Sequence, residues 1–237
     1  KNTNRVIKAA IPLHTFGHTG KIDDLKKILK KFKIKMIEDA AEALGSYYKK
    51  KHVGIFGDVG ILSFNGNKII STGGGGAIIT NNKKIAKKAK HISKVSKINH
   101  IWKFEYDQIG YNYRMPNLNA ALGYSQLKKL NKHLKKKRKL RDKYLKVFKK
   151  DKNINLFTEN KYARSNYWLH ILVIDGYSKN FLEKLLNFSN KKKIYLRAAW
   201  SLLHKTNYLK KFPKMDLSLS ETIHKKIVNL PSSCYKI

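Results

Sequence analysis

The sequence has a single cysteine, Cys234, so an internal disulfide framework and a multi-cysteine metal site are both excluded. It has no run of 18 or more apolar residues, so no segment reads as a membrane-spanning helix. It opens on Lys1-Asn2-Thr3-Asn4, with no apolar signal region and no initiator Met, so the start of the chain need not be the start of its gene. Cytoplasm is the compartment expected for such a cysteine-poor chain. Acidic residues are scarce as well: 15 Asp and Glu stand against 52 Lys and Arg, a formal net charge of +37. Within that excess arginine is rare, with 46 Lys and only 6 Arg. Arginine is the residue that reads guanine bidentately and stacks on bases. Lys, Asn and Ile are all abundant, as an AT-rich coding sequence would produce. The basic runs, such as Lys135-Lys136-Lys137-Arg138-Lys139, sit inside helical patterns. The charge therefore reads first as a solvated, compositionally biased surface. A basic nucleic-acid-binding module is the remote alternative, recognisable by binding that weakens steeply with salt.

What is present is enough for a core. Of 237 residues, 42% are hydrophobic and 11% aromatic, which argues against wholesale disorder. Residues 5–13 read as a short buried strand. Residues 21–33 place Ile22, Leu25, Ile28, Leu29 and Phe32 on one helical face. Strand-like runs come next at 34–39, 60–64 and 77–80. A helix is expected at 83–95 with Ile85, Ala89, Ile92 and Val95 along one side. The alternation of strand and helix predicts an α/β fold with a largely parallel sheet. Residues 117–150 form the longest helical stretch, with an apolar stripe through Leu118, Ala121, Leu122, Leu127, Leu130 and Leu134 that Tyr144, Leu145 and Phe148 extend. Strands are expected at 166–175 and 193–200. Helices are expected at 178–188, with Ser178 as N-cap, and at 218–229, with a Ser218/Glu221 capping box. The natural division is a large domain over 1–130 and a smaller α+β domain over 131–237.

Chemistry concentrates in three places. Asp39 ends an apolar strand, in Ile37-Glu38-Asp39-Ala40-Ala41-Glu42, where open α/β sheets bind ligands. A carboxylate there suits a cationic ring nitrogen, or it simply caps the next helix. Ser63-Phe64-Asn65-Gly66-Asn67-Lys68 leads into Gly73–Gly76. A lysine framed this way can form an imine, or be one surface lysine among many. It is not a Walker loop, whose glycines precede the lysine and whose Ser or Thr comes directly after it. Tyr111-Asn112-Tyr113-Arg114 crowds a loop before a helix start at Pro116, which is either a binding loop or a plain helix entry with packed tyrosines.

Together EDAAEALGSYYKKKHVGIFGDVGILSFNGNKIISTGGGGAIITN, IGYNYRMPNLNAALG and WSLLHKTNYLKKFPKMDLSLSETIHKKIVNLPSS resemble the DegT/DnrJ/EryC/StrS sugar-nucleotide aminotransferases, fold-type-I pyridoxal-phosphate enzymes. The resemblance runs from about residue 10 to the C-terminus. HTFGH near the start, PNLNAALG and the WSLLHK…LPSS tail are most similar to the enzymes that aminate a 4-keto-sugar nucleotide for legionaminic-type nonulosonic acids. Several roles are implied. Lys68 is the lysine that holds pyridoxal 5'-phosphate and later shuttles the proton. Asp39 pairs with the ring nitrogen, and Ser63 donates to the cofactor phosphate. Glu42 lies near the ring's phenolic oxygen. Asn112 reaches the phosphate in the neighbouring subunit, which implies a homodimer with shared sites. Arg114, Arg197 and His204 are candidates for substrate contact, and glutamate is the implied amino donor.

Three departures stand out. Nothing before Asp39 supplies the family's phosphate-binding Ser/Gly-Thr loop or its ring-stacking aromatic. Tyr106 stands where relatives often have His, and Ala198 replaces a usual Pro. The chain accordingly reads as an N-terminally truncated member. A truncated or split, inactive remnant of such an enzyme is the alternative expectation, with little cofactor uptake by this chain alone.

Overall fold

The computed structural model describes residues 5–177 and 180–233. Cys234 and the Ser178 cap therefore lie outside the described residues. The chain divides into two compact units. One holds Ile7–Leu134 and, after an excursion, Glu159–Trp168. The other holds Lys135–Thr158 and the described residues from Leu169 on, with Arg5 and Val6.

The first unit is built on a four-stranded sheet. Its strands are β1 (Ala9–Ala10), β2 (Lys35–Asp39), β5 (Val59–Ser63) and β6 (Gly76–Ile79), in the order β1-β2-β5-β6. The pairings β1–β2 and β2–β5 are parallel, and β5–β6 is antiparallel. Met36 and Glu38 of β2 point into the core while Ile37 and Asp39 take the other face, the period-two alternation of a strand. The helix α1 (Ile22–Lys31) lays Ile22 and Leu29 against Met36, Ala40, Val53 and Leu62. Ile28 and Phe32, expected on the same face, are exposed, because the helix ends at Lys31 and its buried stripe is narrower than the apolar one. A small antiparallel sheet joins β3 (Tyr47–Tyr48) to β4 (Lys51–His52) and to β8 (Ala163–Arg164) of the returning segment.

Helix α2 (Lys83–Ile92) starts where Asn82 accepts the backbone N–H groups of Lys84 and Ile85, at 2.9 and 3.2 Å. The expected single helix over 117–150 is two: α3 (Asn117–Lys128) and α4 (Leu130–Phe148), separated at Lys129. The apolar stripe of α3 is not its packed face. Leu118, Leu122 and Leu127 are exposed. The helix presents Asn119 and Gly123 to the loop around Thr72 instead. Asn119 donates to Thr72 O, and a Cβ on Gly123 would lie 2.6 Å from Thr72 Cγ2.

In the second unit, β10 (Arg197–Ala198), β11 (Ile227–Leu230), β9 (His170–Ile174) and β7 (Ile154–Leu156) form an antiparallel sheet in that order. Leu156, Leu172, Ile174, Leu196, Val228 and Leu230 make its core, with Tyr144 and Phe148 of α4 and Phe181, Leu182 and Leu185 of α5 (Phe181–Lys191) packed on it. Asn180 holds the N-cap position of α5. In α6 (Ser218–His224) the expected capping box does not form: Ser218 lies inside the helix, and Leu217 holds the cap position. Asp216 takes the N–H and hydroxyl of Ser218, at 2.9 and 3.0 Å, while Glu221 turns away to other partners.

One glycine of the first unit is indispensable. Gly17 has φ +91°, and a Cβ there would sit 1.8 Å from Asn166 Oδ1 and 3.2 Å from Glu42 O. Gly17→Ala should therefore destabilise the protein by about 2–4 kcal/mol, from backbone strain and displacement of Asn166 together. Gly20→Ala, with nothing within 4 Å of the added carbon, should stay within about 0.5 kcal/mol of the wild type. Urea melts of the two variants check this, and equal losses would contradict it.

Candidate active site

The site grows out of the carboxyl end of β2. Glu38 is wholly buried, and its carboxylate accepts His14 Nε2 at 3.1 Å and the backbone N–H groups of Gly54, Phe56 and Gly57 at 2.8, 2.5 and 2.6 Å. Burial pushes this carboxyl up, but the His14 and backbone hydrogen bonds outweigh it and hold it below its ordinary value. The next residue, Asp39, points to the opposite face. Its backbone is held on both sides, with Asp39 N–H donating to Pro12 O at 2.9 Å and His14 N–H to Asp39 O at 3.0 Å. Its Oδ1 accepts the N–H of Ala41 at 3.1 Å.

Glu42 lies in the turn beyond β2. It accepts the N–H of Phe16 at 2.6 Å. Phe16 sits at φ 58°, a left-handed conformation that a bulky residue adopts only when its surroundings impose it. Lys68 lies past the end of β5, with Nζ 3.9 Å from Glu42 Oε1, and both side chains are mostly buried, at 14% and 15% exposure. Burial pulls the Lys68 amine below the ordinary lysine range, and the Glu42 and Asp39 carboxylates offset only part of that. Burial likewise raises Glu42, and the Asp39 charge adds to the effect; the Phe16 N–H and Lys68 oppose it. Lys68, Glu42 and Asp39 are thus electrostatically coupled: a desolvated amine that Glu42 approaches and whose charge Asp39 also favours. Among the described residues Ser63 Oγ takes part as the acceptor of the Asn65 N–H, at 3.4 Å, which leaves its hydroxyl proton for another acceptor.

The other sequence-predicted residues have different surroundings. Asn112 and Arg114 line a cavity of about 1030 Å³ with Gly74–Gly76, Lys90 and Asn119, and Lys68 is not among its lining residues. Arg197 and His204 belong to the second unit. Arg197 is exposed on β10, and His204 Nε2 lies 2.8 Å from Glu221 Oε1, which also has Lys205 Nζ within 2.8 Å of its other oxygen. Tyr106 is exposed, and Ala198 is an ordinary ladder residue opposite Val228.

Sequence reasoning did not find His14, Phe16, Glu38, Asn166 or Trp168. Asn166 Nδ2 donates to the carbonyls of Glu42 and Leu44, both at 2.9 Å, and its Oδ1 accepts the Trp168 N–H at 2.8 Å. The Trp168 ring lies beneath Lys68 Nζ, 3.9 Å from nitrogen to centroid. The only available signal was the polar content of HTFGH and SNYW, short motifs whose partners lie far away in sequence.

The chain is 34% identical over 235 residues to the GDP-perosamine synthase of Escherichia coli O157:H7, covering 98% of this chain and 62% of that one. It is 35% identical over 159 residues to a UDP-4-amino-4,6-dideoxy-N-acetyl-beta-L-altrosamine transaminase of Campylobacter jejuni, 67% of this chain and 42% of that one. The chain thus spans less than two thirds of the length of these relatives. The fold matches Helicobacter pylori PseC, an aminotransferase involved in the biosynthesis of pseudoaminic acid, with a TM-score of 0.89 at 24% identity over 96% of this chain and 62% of that one. The model of the DegT/DnrJ/EryC1/StrS aminotransferase family matches residues 1–234, and the chain belongs to that family.

Proposed function

We propose that the chain carries the catalytic lysine and ring-binding face of a pyridoxal-phosphate-dependent aminotransferase acting on a nucleotide-linked 4-keto-sugar, for cell-surface polysaccharide or nonulosonic acid synthesis. The observation that carries this reading is the Lys68 amine, desolvated and 3.9 Å from Glu42, beside Asp39 at the end of β2. The donor set fits pyridoxal phosphate at its ring end: a nucleophilic amine for the aldehyde and a carboxylate for the ring nitrogen. The names of the relatives, a GDP-sugar synthase and a UDP-sugar transaminase, support a nucleotide sugar as substrate.

When bound, the cofactor supplies an electron sink for negative charge developing on the amino-bearing carbon. The chain's own residues do the rest. Lys68 is the attachment amine and, once free, takes and returns the proton at that carbon. Asp39 holds the proton on the ring nitrogen, because an ion pair in a semi-buried site favours the charged ring. Glu42 would serve the phenolic oxygen, and the Ser63 hydroxyl would serve the phosphate. Asn112 is assigned to the site of a second subunit in a homodimer. Arg114, in the same cavity, is assigned to substrate, as are Arg197 and His204. Glutamate is the proposed donor and the cytoplasm the proposed compartment.

Trapping tests the assignment. With one equivalent of pyridoxal phosphate, borohydride reduction should fix the cofactor on the peptide that carries Lys68. Preferential labelling of another lysine would overturn the reading.

A further inference from the structure

Trp168 has no part in the roles assigned to the site. It is 3% exposed, and its indole N–H donates to Asn67 O at 2.7 Å, on the residue just before Lys68. Its face lies under Lys68 Nζ, 3.9 Å from the ring centroid. One side chain therefore pins the backbone next to the lysine with its edge and meets the amine with its face. Trp168 is itself held by Asn166, the residue that also ties down the carbonyls of Glu42 and Leu44. The amine, the carboxylate and the ring are thus placed by one hydrogen-bonded frame. The electron-rich face of an indole attracts an ammonium more strongly than any other side-chain ring does, and most of all where water is excluded.

We propose that Trp168 is a positioning residue for Lys68: its ring holds the ammonium beside Glu42 and so sets the pH at which the amine becomes nucleophilic. The inference rests on reading Lys68 as the attachment lysine. Among the described residues three groups favour the charged amine. Glu42 and Asp39 favour its charged form, as does the Trp168 ring, while burial favours the neutral form and prevails. Replacing the ring by an aliphatic side chain keeps the burial and removes one of the three opposing contributions. The amine should then lose its proton at lower pH.

The test needs no cofactor. Acetylation by acetic anhydride is tracked against pH, and the Lys68 peptide is quantified by mass spectrometry, with the other lysines as internal references. In Trp168→Leu the midpoint for Lys68 should fall by about one pH unit, or roughly tenfold faster acetylation at a fixed pH below the midpoint. Trp168→Phe, which keeps a weaker ring, should fall between Leu and wild type. A loosened fold would admit water and move the midpoint upward, so the sign separates positioning from mere packing. An unchanged or raised midpoint in Trp168→Leu overturns the inference. So do equal shifts in Phe and Leu, which would assign the effect to the lost Asn67 hydrogen bond. Trapping with pyridoxal phosphate on the wild type keeps the two readings apart. Label on Lys68 with no shift in the variants sinks this inference alone. Label elsewhere with the shift intact sinks the attachment reading and leaves the coupling of Trp168 to Lys68 standing.

Discussion

Lys68→Arg is expected to leave the protein folded and abolish cofactor attachment, with any amino transfer by the assembled enzyme falling by about 10²–10⁴-fold. The substitution separates charge from chemistry. Arginine keeps the positive charge near Glu42, and its planar head can stack on the Trp168 face. The packing loss should be small, so thermal stability should lie within about 1 kcal/mol of wild type. Guanidinium, however, does not lose its proton in proteins. It cannot attack an aldehyde, and it cannot accept the proton at the substrate carbon. A calorimetric scan and an absorbance spectrum with added pyridoxal phosphate report the two halves. Visible absorbance that persists in the variant and is trapped elsewhere by borohydride would remove Lys68 from its role.

The second large effect is on stability. Glu38→Ala should cost about 3–5 kcal/mol, the range for removing one partner from a buried charged network. The carboxylate is wholly buried and satisfies His14 Nε2 and three backbone N–H groups. Alanine leaves all four without an acceptor and opens space under β2. The network also predicts a pH dependence. Glu38 is held below its ordinary value of 4.5 in the folded protein. Its contribution is therefore fully present above 4.5 and is lost as the pH falls through the lower folded value. Glu38→Gln should be less stable than wild type at neutral pH, and the gap should narrow in acid. Denaturant melts across that window measure it. A gap that stays constant would mean that the ionised carboxylate is not what stabilises the loop at Gly54–Gly57.

The expectations that held depend on local rules. The strand at Lys35–Asp39 and the helices at Ile22–Lys31 and Lys83–Ile92 arise from local periodicity, and the second helix also from its Asn82 cap. Lys68 and Asp39 could be picked out as candidates because a strand end is where an open α/β sheet presents its chemistry. The failures are long-range. The α3 stripe reads as a buried face, yet Asn119 and Gly123 make the contacts, because the loop at Thr72 selects a polar donor and a missing side chain. Residues 166–168 read as the start of a strand, but β9 begins at His170. Asn166 and Trp168 instead leave their neighbours for partners 100 or more residues away. No window of local sequence contains both ends of such a contact. Glu38 stood in plain view beside Asp39, but nothing nearby showed that four donors would converge on it.

The returning segment Glu159–Trp168 also imposes an order of events. Lys68 is made 100 residues before Trp168. At about 5–20 residues per second, roughly 5–20 s of synthesis separate them. During that interval the lysine has its strand and its carboxylates but neither the indole beneath it nor the amide that fixes Glu42. Ser165 closes on Gly17 across 148 residues of chain, and until it does the turn at Thr15–Gly17 has no lid. The nascent protein therefore carries Lys68 without these partners while Lys135–Thr158 of the second unit is being made. The surroundings of its amine are completed only when the ten-residue segment Glu159–Trp168 comes back.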